Sequence, residues 1–398
     1  LKRFYADERR REKDPRWNKS YCEQMEEMIK HGFARKLSLK ELEDWKGPSH
    51  YICHHAVENP SSKSTPVRIV WDSRQVNEFM AKGPDAYMNN LLDVILRFRE
   101  HRHGFVGDVR KMFNSVRMNP ADQHTHRFFW RNNKTSLPEV YVITVVNMGD
   151  RPSGTIATVA LHKTAQMSEH QFPQEADIII NSSYMDDISD SVDGREDAHE
   201  LTKTISSILS KGNFRIKEWI ISGSGNGETQ KILGLPWQPF EDLLNVAGRV
   251  NLSRKVRNNR SGPDLSIHDL ENGPAPPLSK RKTMSVLNSI FDPCGLSAPV
   301  VVRGKILLRD LWNKDISWDT VLDQSDTEQW ITFFKEMCQM CKINFNRSIK
   351  PENTCDKQSI LVTFSDASTQ AFGACAYVRW EMTDGTFRSR LLLAKSRV

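Results

Sequence analysis

The spacing of apolar residues in the first half of the chain predicts short helices alternating with strands. Apolar side chains recur at helical intervals over residues 91–99, 153–168 and 197–211. Runs of β-branched and aromatic residues predict strands at 67–72, 105–109, 128–130, 140–146, 178–180, 188–192 and 232–235. The runs at 178–180 and 188–192 are predicted to be the two arms of a tight hairpin with Asp186 and Asp187 near its tip.

The second half of the chain has a different pattern. Residues 258–282 are rich in Asn, Ser, Gly and Pro, which is typical of a linker or a long loop. Helical spacing then resumes over 283–291, 302–312 and 329–340. A new strand signal begins at residue 360 and continues with further strands to the end of the printed sequence. We therefore predict a boundary near residue 245 and another near residue 357.

Composition excludes several classes of protein. The chain has 398 residues, of which 38% are hydrophobic and 27% charged, a globular profile that allows two or three domains at roughly 150 residues each. No apolar run approaches the roughly 18 residues of a membrane-spanning helix, so we expect no membrane span. A net charge of +6 permits a polyanionic partner. Seven cysteines, an odd number, argue against a disulfide scaffold, and Leu1 in place of an initiator methionine leads us to expect a fragment.

Carboxylates in two short motifs suggest a chemistry. The segment 184–187, Tyr-Met-Asp-Asp, is predicted to present two carboxylates at a hairpin tip, where they repel each other unless a cation neutralises them. Magnesium suits such a tip because it is bound by one or two carboxylates together with substrate phosphates. Asp108 ends an apolar strand and is followed five positions on by Phe113. Taken singly, Asp186 and Asp187 also fit a solvated turn, and Asp108 also fits a helix N-cap.

The order and spacing of these motifs resemble a reverse transcriptase palm. Asp108 with Phe113, then the turn at Gly149 leading into a helix, then the segment 184–187 match motifs A, B and C of that family. Other segments are similar to the polymerase of BEL/Pao-type LTR retrotransposons, namely His54-His55-Ala-Val, Arg68-Ile-Val-Trp-Asp72, Met148-Gly-Asp-Arg-Pro152, Phe291-Asp-Pro-Cys-Gly-Leu-Ser-Ala-Pro299 and Phe364-Ser-Asp-Ala-Ser368. The resemblance covers the chain from about residue 21 to its last residue.

This resemblance implies a fold and an activity. The fold is a right-hand polymerase of the α+β class, with fingers and palm over 1–245, thumb and connection over 246–357, and an incomplete ribonuclease H-like α/β unit over 358–398. The activity is RNA- and DNA-templated DNA synthesis, in which a primer 3′-hydroxyl is extended with deoxynucleoside triphosphates. Asp108, Asp186 and Asp187 are implied to bind two Mg²⁺ ions, for which Mn²⁺ could substitute. Asp108 and Asp186 are the stricter of the three ligands in this interpretation.

The resemblance also implies residues that contact the incoming nucleotide. Phe113 matches the steric gate that leaves no room for a 2′-hydroxyl. Arg68 matches a fingers arginine, whose guanidinium can stack on a base and grip a phosphate, and Lys63 in the preceding loop is expected to meet the γ-phosphate. The turn carries Met148 where many retroviral enzymes carry Gln. The remaining implied substrate-binding residues are Gly149, Tyr184 and Met185.

Residues later in the chain receive further implied roles. Lys217 matches motif D, in which a lysine protonates the leaving pyrophosphate, although it also fits an exposed strand lysine. Leu235 and Trp237 match the primer grip of motif E, with Trp237 packing on the primer end. Asp366 matches the first carboxylate of a ribonuclease H site that is otherwise incomplete here, so we expect no ribonuclease H activity. The basic run 280–282 could follow a nucleic-acid backbone.

Other interpretations remain open at this point. The first is a decayed or domesticated retroelement fragment that binds nucleic acid without polymerising. An aspartic peptidase is disfavoured because neither Asp-Thr-Gly nor Asp-Ser-Gly occurs in the sequence. The expected partners are a template with its primer, deoxynucleoside triphosphates and the other polyprotein domains, which are the rest of ribonuclease H and an integrase for DNA integration. The expected location is a cytoplasmic virus-like particle.

Overall fold

Helices and short strands alternate in a computed structural model that describes residues 1–58, 67–225, 227–253, 255–256, 259–260 and 262–398. The α-helices are Lys2–Arg11, Pro15–Lys30, Leu39–Asp44, Leu91–Glu100, Pro120–Gln123, Ser153–Gln166, Pro173–Asn181, Arg195–Lys211, Ile267–Asn272, Lys280–Leu287, Ala298–Asn313 and Gln324–Met340. Single 3₁₀ turns are Val76–Glu78, Asp85–Tyr87, Met112–Ser115 and His124–His126. The strands are Ala34–Lys36, Cys53–Glu58, Val67–Asp72, His103–Val109, Arg127–Trp130, Glu139–Ile143, Ser183–Tyr184, Asp187–Val192, Ile216–Ile221, Gln230–Ile232, Leu235–Gln238, Leu243–Leu244, Lys255–Val256, Asn259–Arg260, Phe345–Asn346, Ile360–Ala367, Phe372–Glu381 and Phe387–Arg397.

The chain forms two units, each assembled from segments that are distant in sequence. The first unit comprises Leu1–Asn89, Val109–Ile180 and Thr204–Lys217, and the second comprises Asn90–Asp108, Asn181–Lys203 and Glu218–Val398. The units therefore cut across the predicted borders near 245 and 357, which stay predictions. The difference arises because strands far apart in the sequence pair within one sheet, and pairing of this kind leaves no linear border.

The first unit packs a long helix and a three-stranded antiparallel sheet around an aromatic core. The strand Glu139–Ile143 lies between Ala34–Lys36 and Arg127–Trp130. The core includes Tyr21 and Met25 of the helix Pro15–Lys30 and, from the sheet, Phe128, Trp130 and Ile143. Ser38 and Glu41 form a capping box at the start of the helix Leu39–Asp44.

The second unit contains the sheet on which the acidic motifs lie. Its strand order is Ser183–Tyr184, Asp187–Val192, His103–Val109 and Ile216–Ile221. The helix Leu91–Glu100 packs on this sheet and buries Val94, Ile95 and Phe98 in the same core as Trp237 and Trp330. Aromatic side chains bury large areas of apolar surface. This core therefore stabilises the sheet that includes the two strands of the acidic hairpin.

Two of the strand predictions are wrong. Ile178–Ile180 are the end of the helix Pro173–Asn181, not a hairpin arm, and Ile178 and Ile179 are buried. Three β-branched residues favour a strand locally, but the burial of a helical face overrides that preference. The predicted single strand at 232–235 is a hairpin turn, because Leu233 and Gly234 both have positive φ, at 49° and 89°. The strands Gln230–Ile232 and Leu235–Gln238 pair across this turn.

The segment predicted as a linker at 258–282 is partly structural. It contains the helix Ile267–Asn272, which has its own capping box, and begins the helix Lys280–Leu287. Leu270 and Leu278 are buried in the core of the second unit. The prediction of a free linker is wrong for these residues, because a few leucines between the prolines anchor the segment despite its polar composition.

The strands Ile360–Ala367, Phe372–Glu381 and Phe387–Arg397 form a separate antiparallel sheet in the second unit. Its last strand is tied to the rest of the unit by Arg99, whose guanidinium donates to the carbonyl oxygens of Leu391 and Leu392 at 2.9 and 2.8 Å. Ala394 donates its backbone N–H to the Cys294 carbonyl at 2.8 Å. Among the described residues, no helix combines the length and the apolar character needed to cross a bilayer.

Candidate active site

Asp108 is the exposed residue near the end of an otherwise buried strand. The strand His103–Val109 buries Gly104, Phe105, Val106, Gly107 and Val109, whereas Asp108 reaches solvent. Gly107 allows the close packing of Trp219, since a Cβ at this position would lie 2.6 Å from the indole ring. The sequence thus places one carboxylate at the rim of a rigid sheet.

Asp186 and Asp187 occupy different positions of one tight hairpin. Tyr184 pairs with Asp187, so Met185 and Asp186 form the two-residue turn. Met185 has a φ of 54°, a left-handed conformation that non-glycine residues rarely adopt. Backbone strain of this kind costs about 1–3 kcal/mol and is found preferentially at functional sites. The predicted strand before the turn is replaced by Ser183–Tyr184.

The hairpin brings the three aspartates together. Asp108 pairs directly with Asp187 across two antiparallel strands, and the Cβ atoms of such a pair are about 4.5–5.5 Å apart. Asp108 and Asp186 are exposed, whereas Asp187 is half-buried. Burial, together with the charges of Asp186 and Asp108, raises the pKa of Asp187 to about 7. Opposed carboxylates repel each other without a counter-charge.

This arrangement fits a divalent cation with oxygen ligands. No described residues form a preformed cluster of three or more His, Cys, Asp or Glu side chains able to hold a metal ion. Magnesium does not need one, because it is usually held by one or two carboxylates, several waters and substrate phosphates. The exposed side chains of Asp108 and Asp186 are the residues best able to hold it. Burial, together with the charges of these two side chains, raises the pKa of the neighbouring Asp187.

The first unit carries most of the residues predicted to bind the nucleotide. Phe113 lies in the 3₁₀ turn Met112–Ser115 and is half-buried, so it is neither a core residue nor fully in solvent. Arg68 is exposed on the strand Val67–Asp72, opposite Val57. Lys63 lies outside the described residues. The roles of Phe113, Arg68 and Lys63 stay predictions.

Gly149 is exposed in a turn, where it has a positive φ of 112°. A Cβ at this position would make only ordinary contact with the Ser73 side chain, 3.5 Å from its hydroxyl oxygen. The backbone conformation, not lack of space, therefore requires glycine.

Two family models match the sequence. The model described as reverse transcriptase (RNA-dependent DNA polymerase) matches residues 57–219, which include all three aspartates. The model described as Pao retrotransposon-like RNaseH-like domain matches residues 279–398. Residues 57–219 thus match a reverse transcriptase and residues 279–398 match a Pao-type ribonuclease H-like domain, an order that supports a Pao-type retrotransposon reverse transcriptase followed by a ribonuclease H region. A search of curated protein sequences found no match.

Solved structures of foamy virus protease–reverse transcriptases have the same fold. The complex with ds DNA that is labelled dRH has a TM-score of 0.56 at 15% identity, covering 93% of this chain and 54% of the viral one. The complex with an RNA/DNA hybrid has a TM-score of 0.55 at 14% identity, covering 97% and 43%. The fold is accordingly the predicted right-hand polymerase followed by a ribonuclease H-like unit. This chain spans about half the length of these viral proteins.

The primer-grip side chains of the reverse transcriptase region are not where the motif predicts. Trp237 is fully buried, with its indole N–H donating to Asp242 at 3.0 Å and its ring edge-on to Phe98. Leu235 is 2% exposed. Neither side chain can contact a primer, so these two assignments are wrong. The alternation of a strand turns both side chains inward, and the half-buried Pro236 between them faces outward.

Two other residues with predicted roles, Lys217 and Asp366, lie at the surface. Lys217 is exposed on the strand Ile216–Ile221, a placement compatible with both of its interpretations. Asp366 is exposed near the end of the strand Ile360–Ala367, where its carboxylate accepts from the Ala367 N–H at 2.8 Å. Both roles stay predictions.

The basic run 280–282 is engaged within the protein. Lys280 donates to the Ile316 carbonyl at 3.0 Å, and Lys282 donates to the Pro277 carbonyl at 2.7 Å. Arg281 forms a two-pronged ion pair with Asp319. These side chains stabilise local structure, so their presence can be explained by contacts within the protein.

Sequence reasoning assigned no role to a polar cluster around Gly149. Asp150 lies within the segment Met148-Gly-Asp-Arg-Pro152, Asn77 lies five residues beyond Asp72, and His126 precedes a strand. In the sequence these residues are recognisable only as polar residues next to apolar strands. That pattern does not predict which of them form hydrogen bonds with each other.

Proposed function

We propose that this chain is an RNA-directed DNA polymerase that extends a primer 3′-hydroxyl with deoxynucleoside triphosphates. The observation that carries the proposal is the direct pairing of Asp108 with Asp187, with Asp186 in the adjoining turn. Carboxylates gathered in this way hold divalent cations, and nucleotidyl transfer depends on such charge neutralisation. The match of residues 57–219 to the reverse transcriptase family supports the same conclusion.

The chain's own groups act mainly by position and charge in this proposal. Asp108 and Asp186, with Asp187 as a more peripheral ligand, would hold two Mg²⁺ ions, for which Mn²⁺ could substitute. Bound magnesium supplies the activation of the primer hydroxyl and the neutralisation of the triphosphate. Phe113, Arg68 and Gly149, with Tyr184 and Met185, bind the nucleotide, and Lys217 donates a proton to the leaving pyrophosphate.

The proposed partners follow from the same activity. The viral relatives were solved with ds DNA and with an RNA/DNA hybrid, and we propose that a template with its primer binds here too. The rest of a polyprotein, including an integrase, is the proposed setting. The proposed location is a cytoplasmic virus-like particle.

Primer extension by the purified chain tests the proposal. The assay uses a labelled DNA primer on an RNA template and, separately, on a DNA template, with magnesium, manganese or a chelator. We expect template-dependent extension with either metal and none with the chelator. A folded chain that binds the template–primer but extends neither would instead identify a retroelement fragment that binds nucleic acid without polymerising.

Phe113→Ala should weaken the discrimination between deoxyribonucleotides and ribonucleotides. Removing the ring opens space for a 2′-hydroxyl, and we expect the relative efficiency of ribonucleotide incorporation to rise roughly 10- to 200-fold. Competition assays with a dNTP and the matching rNTP measure this ratio. Phe172→Ala is the control, since Phe172 is also a half-buried phenylalanine of the first unit. An unchanged ratio in Phe113→Ala would remove the steric-gate role.

A further inference from the structure

The turn Met148-Gly149-Asp150-Arg151 presents an unusual combination of surfaces. Met148 is 68% exposed and Gly149 is exposed, whereas Asp150 is buried to 9% exposure. An exposed apolar side chain and an exposed glycine therefore directly precede a buried carboxylate in this turn. All the groups that hold this turn belong to the first unit.

Asn77 holds the turn from both ends. Its side-chain N–H donates to the Gly149 carbonyl at 2.9 Å, and its side-chain oxygen accepts from the Arg151 backbone N–H at 2.8 Å. The Asn77 backbone is itself fixed, because its N–H donates to the Ser73 carbonyl at 2.9 Å. One amide group therefore bridges the two peptides on either side of Asp150.

A buried network fixes the centre of the turn. One oxygen of Asp150 accepts from the Ser73 hydroxyl at 2.6 Å and from the Asn147 amide at 2.9 Å. The other oxygen lies 2.8 Å from Nε2 of His126, which is fully buried. The second ring nitrogen of His126 lies 2.9 Å from the Thr125 hydroxyl. A buried carboxylate is tolerated only when it is paired and hydrogen-bonded in this way.

The amount of buried polar structure exceeds what a connecting turn requires, since most turns close with one backbone hydrogen bond and solvent. We infer that Asn77, Ser73 and His126 are positioning residues that hold the Met148–Arg151 turn in one shape for the incoming nucleotide. The inference rests on the proposed polymerase function. A turn that is already ordered loses little conformational entropy when the nucleotide binds. Loss of these contacts should therefore weaken nucleotide binding and leave the chemical step at the aspartates intact.

The test is Asn77→Ala in the full chain, with Asn133→Ala as its matched control. Asn133 also makes a local side-chain hydrogen bond, to the Thr135 N–H at 2.8 Å, but in another turn of the same unit. Losing two hydrogen bonds should raise the KM for dNTP about 5- to 30-fold in Asn77→Ala. We expect kcat and the Kd for template–primer to stay within about twofold of the parent values.

A second measurement does not depend on catalysis. Hydrogen exchange at the Arg151 amide, followed without substrates, should be faster in Asn77→Ala than in the parent or in Asn133→Ala. Equal KM values in the two alanine variants, or a lower kcat with unchanged KM, would overturn the inference. A parent chain that extends no primer would overturn the proposed function and the nucleotide role with it, and Arg151 exchange would then still show whether Asn77 holds the turn.

Discussion

Asp186→Asn should abolish primer extension, with a loss of about 100-fold or more in rate. Asparagine is nearly the same size as aspartate but lacks the charge that attracts a divalent cation. Asp186 occupies the exposed turn of the hairpin, so we expect the variant to keep its fold. Single-nucleotide extension on an RNA template with magnesium measures the loss, beside melting temperature and template–primer affinity.

Asp384→Asn is the matched control for this substitution. Asp384 is also an exposed aspartate in a hairpin turn, and its Oδ1 accepts from the Thr386 N–H at 2.9 Å. Because asparagine retains that acceptor, extension should stay at the parental rate. If Asp186→Asn also extends primers at the parental rate, the cation does not bind at this hairpin and the assignment of the carboxylates is wrong.

Asp187→Asn should stabilise the metal-free protein above neutral pH. Burial and the two neighbouring carboxylates raise the pKa of Asp187 from 3.8 to about 7. The folded state therefore binds this proton more tightly than the unfolded state, and stability falls as the pH rises between these two values. Each pKa unit corresponds to about 1.4 kcal/mol, so at pH 8 the ionised side chain destabilises the fold by a few kcal/mol.

Thermal unfolding in a chelator at several pH values measures this effect. The melting temperature of Asp187→Asn should exceed that of the parent by roughly 2–5 °C at pH 8. The gain should shrink below pH 7 and vanish below about pH 3, where the parental side chain is protonated in both states. Asp384→Asn should show no gain, because hydrogen bonds from Thr386 lower the pKa of Asp384. A gain for Asp187→Asn that is constant across the pH range would rule out the ionised carboxylate as its cause.

The positions of the acidic motifs and the resemblance to a reverse transcriptase were predictable from the linear sequence. Local sequence was sufficient to predict features that depend only on residues close together in the chain. The capping box at Ser38 depends on a residue three positions away, and the strand that ends near Asp108 depends on its own run of apolar side chains. The order of the carboxylate motifs, which the resemblance used, is likewise a property of the linear chain.

The features that depend on residues distant in sequence could not be predicted without the tertiary structure. Residues 178–180 are helical because Ile178 and Ile179 are buried on one face of their helix. The Trp237 side chain is buried, where it packs on Phe98 and donates a hydrogen bond to Asp242. Asp150 meets Ser73, which is 77 positions away. Burial and pairing between distant residues outweigh local propensity, since propensities differ by less than about 1 kcal/mol per residue while burial of a large side chain contributes about 1.5–3 kcal/mol.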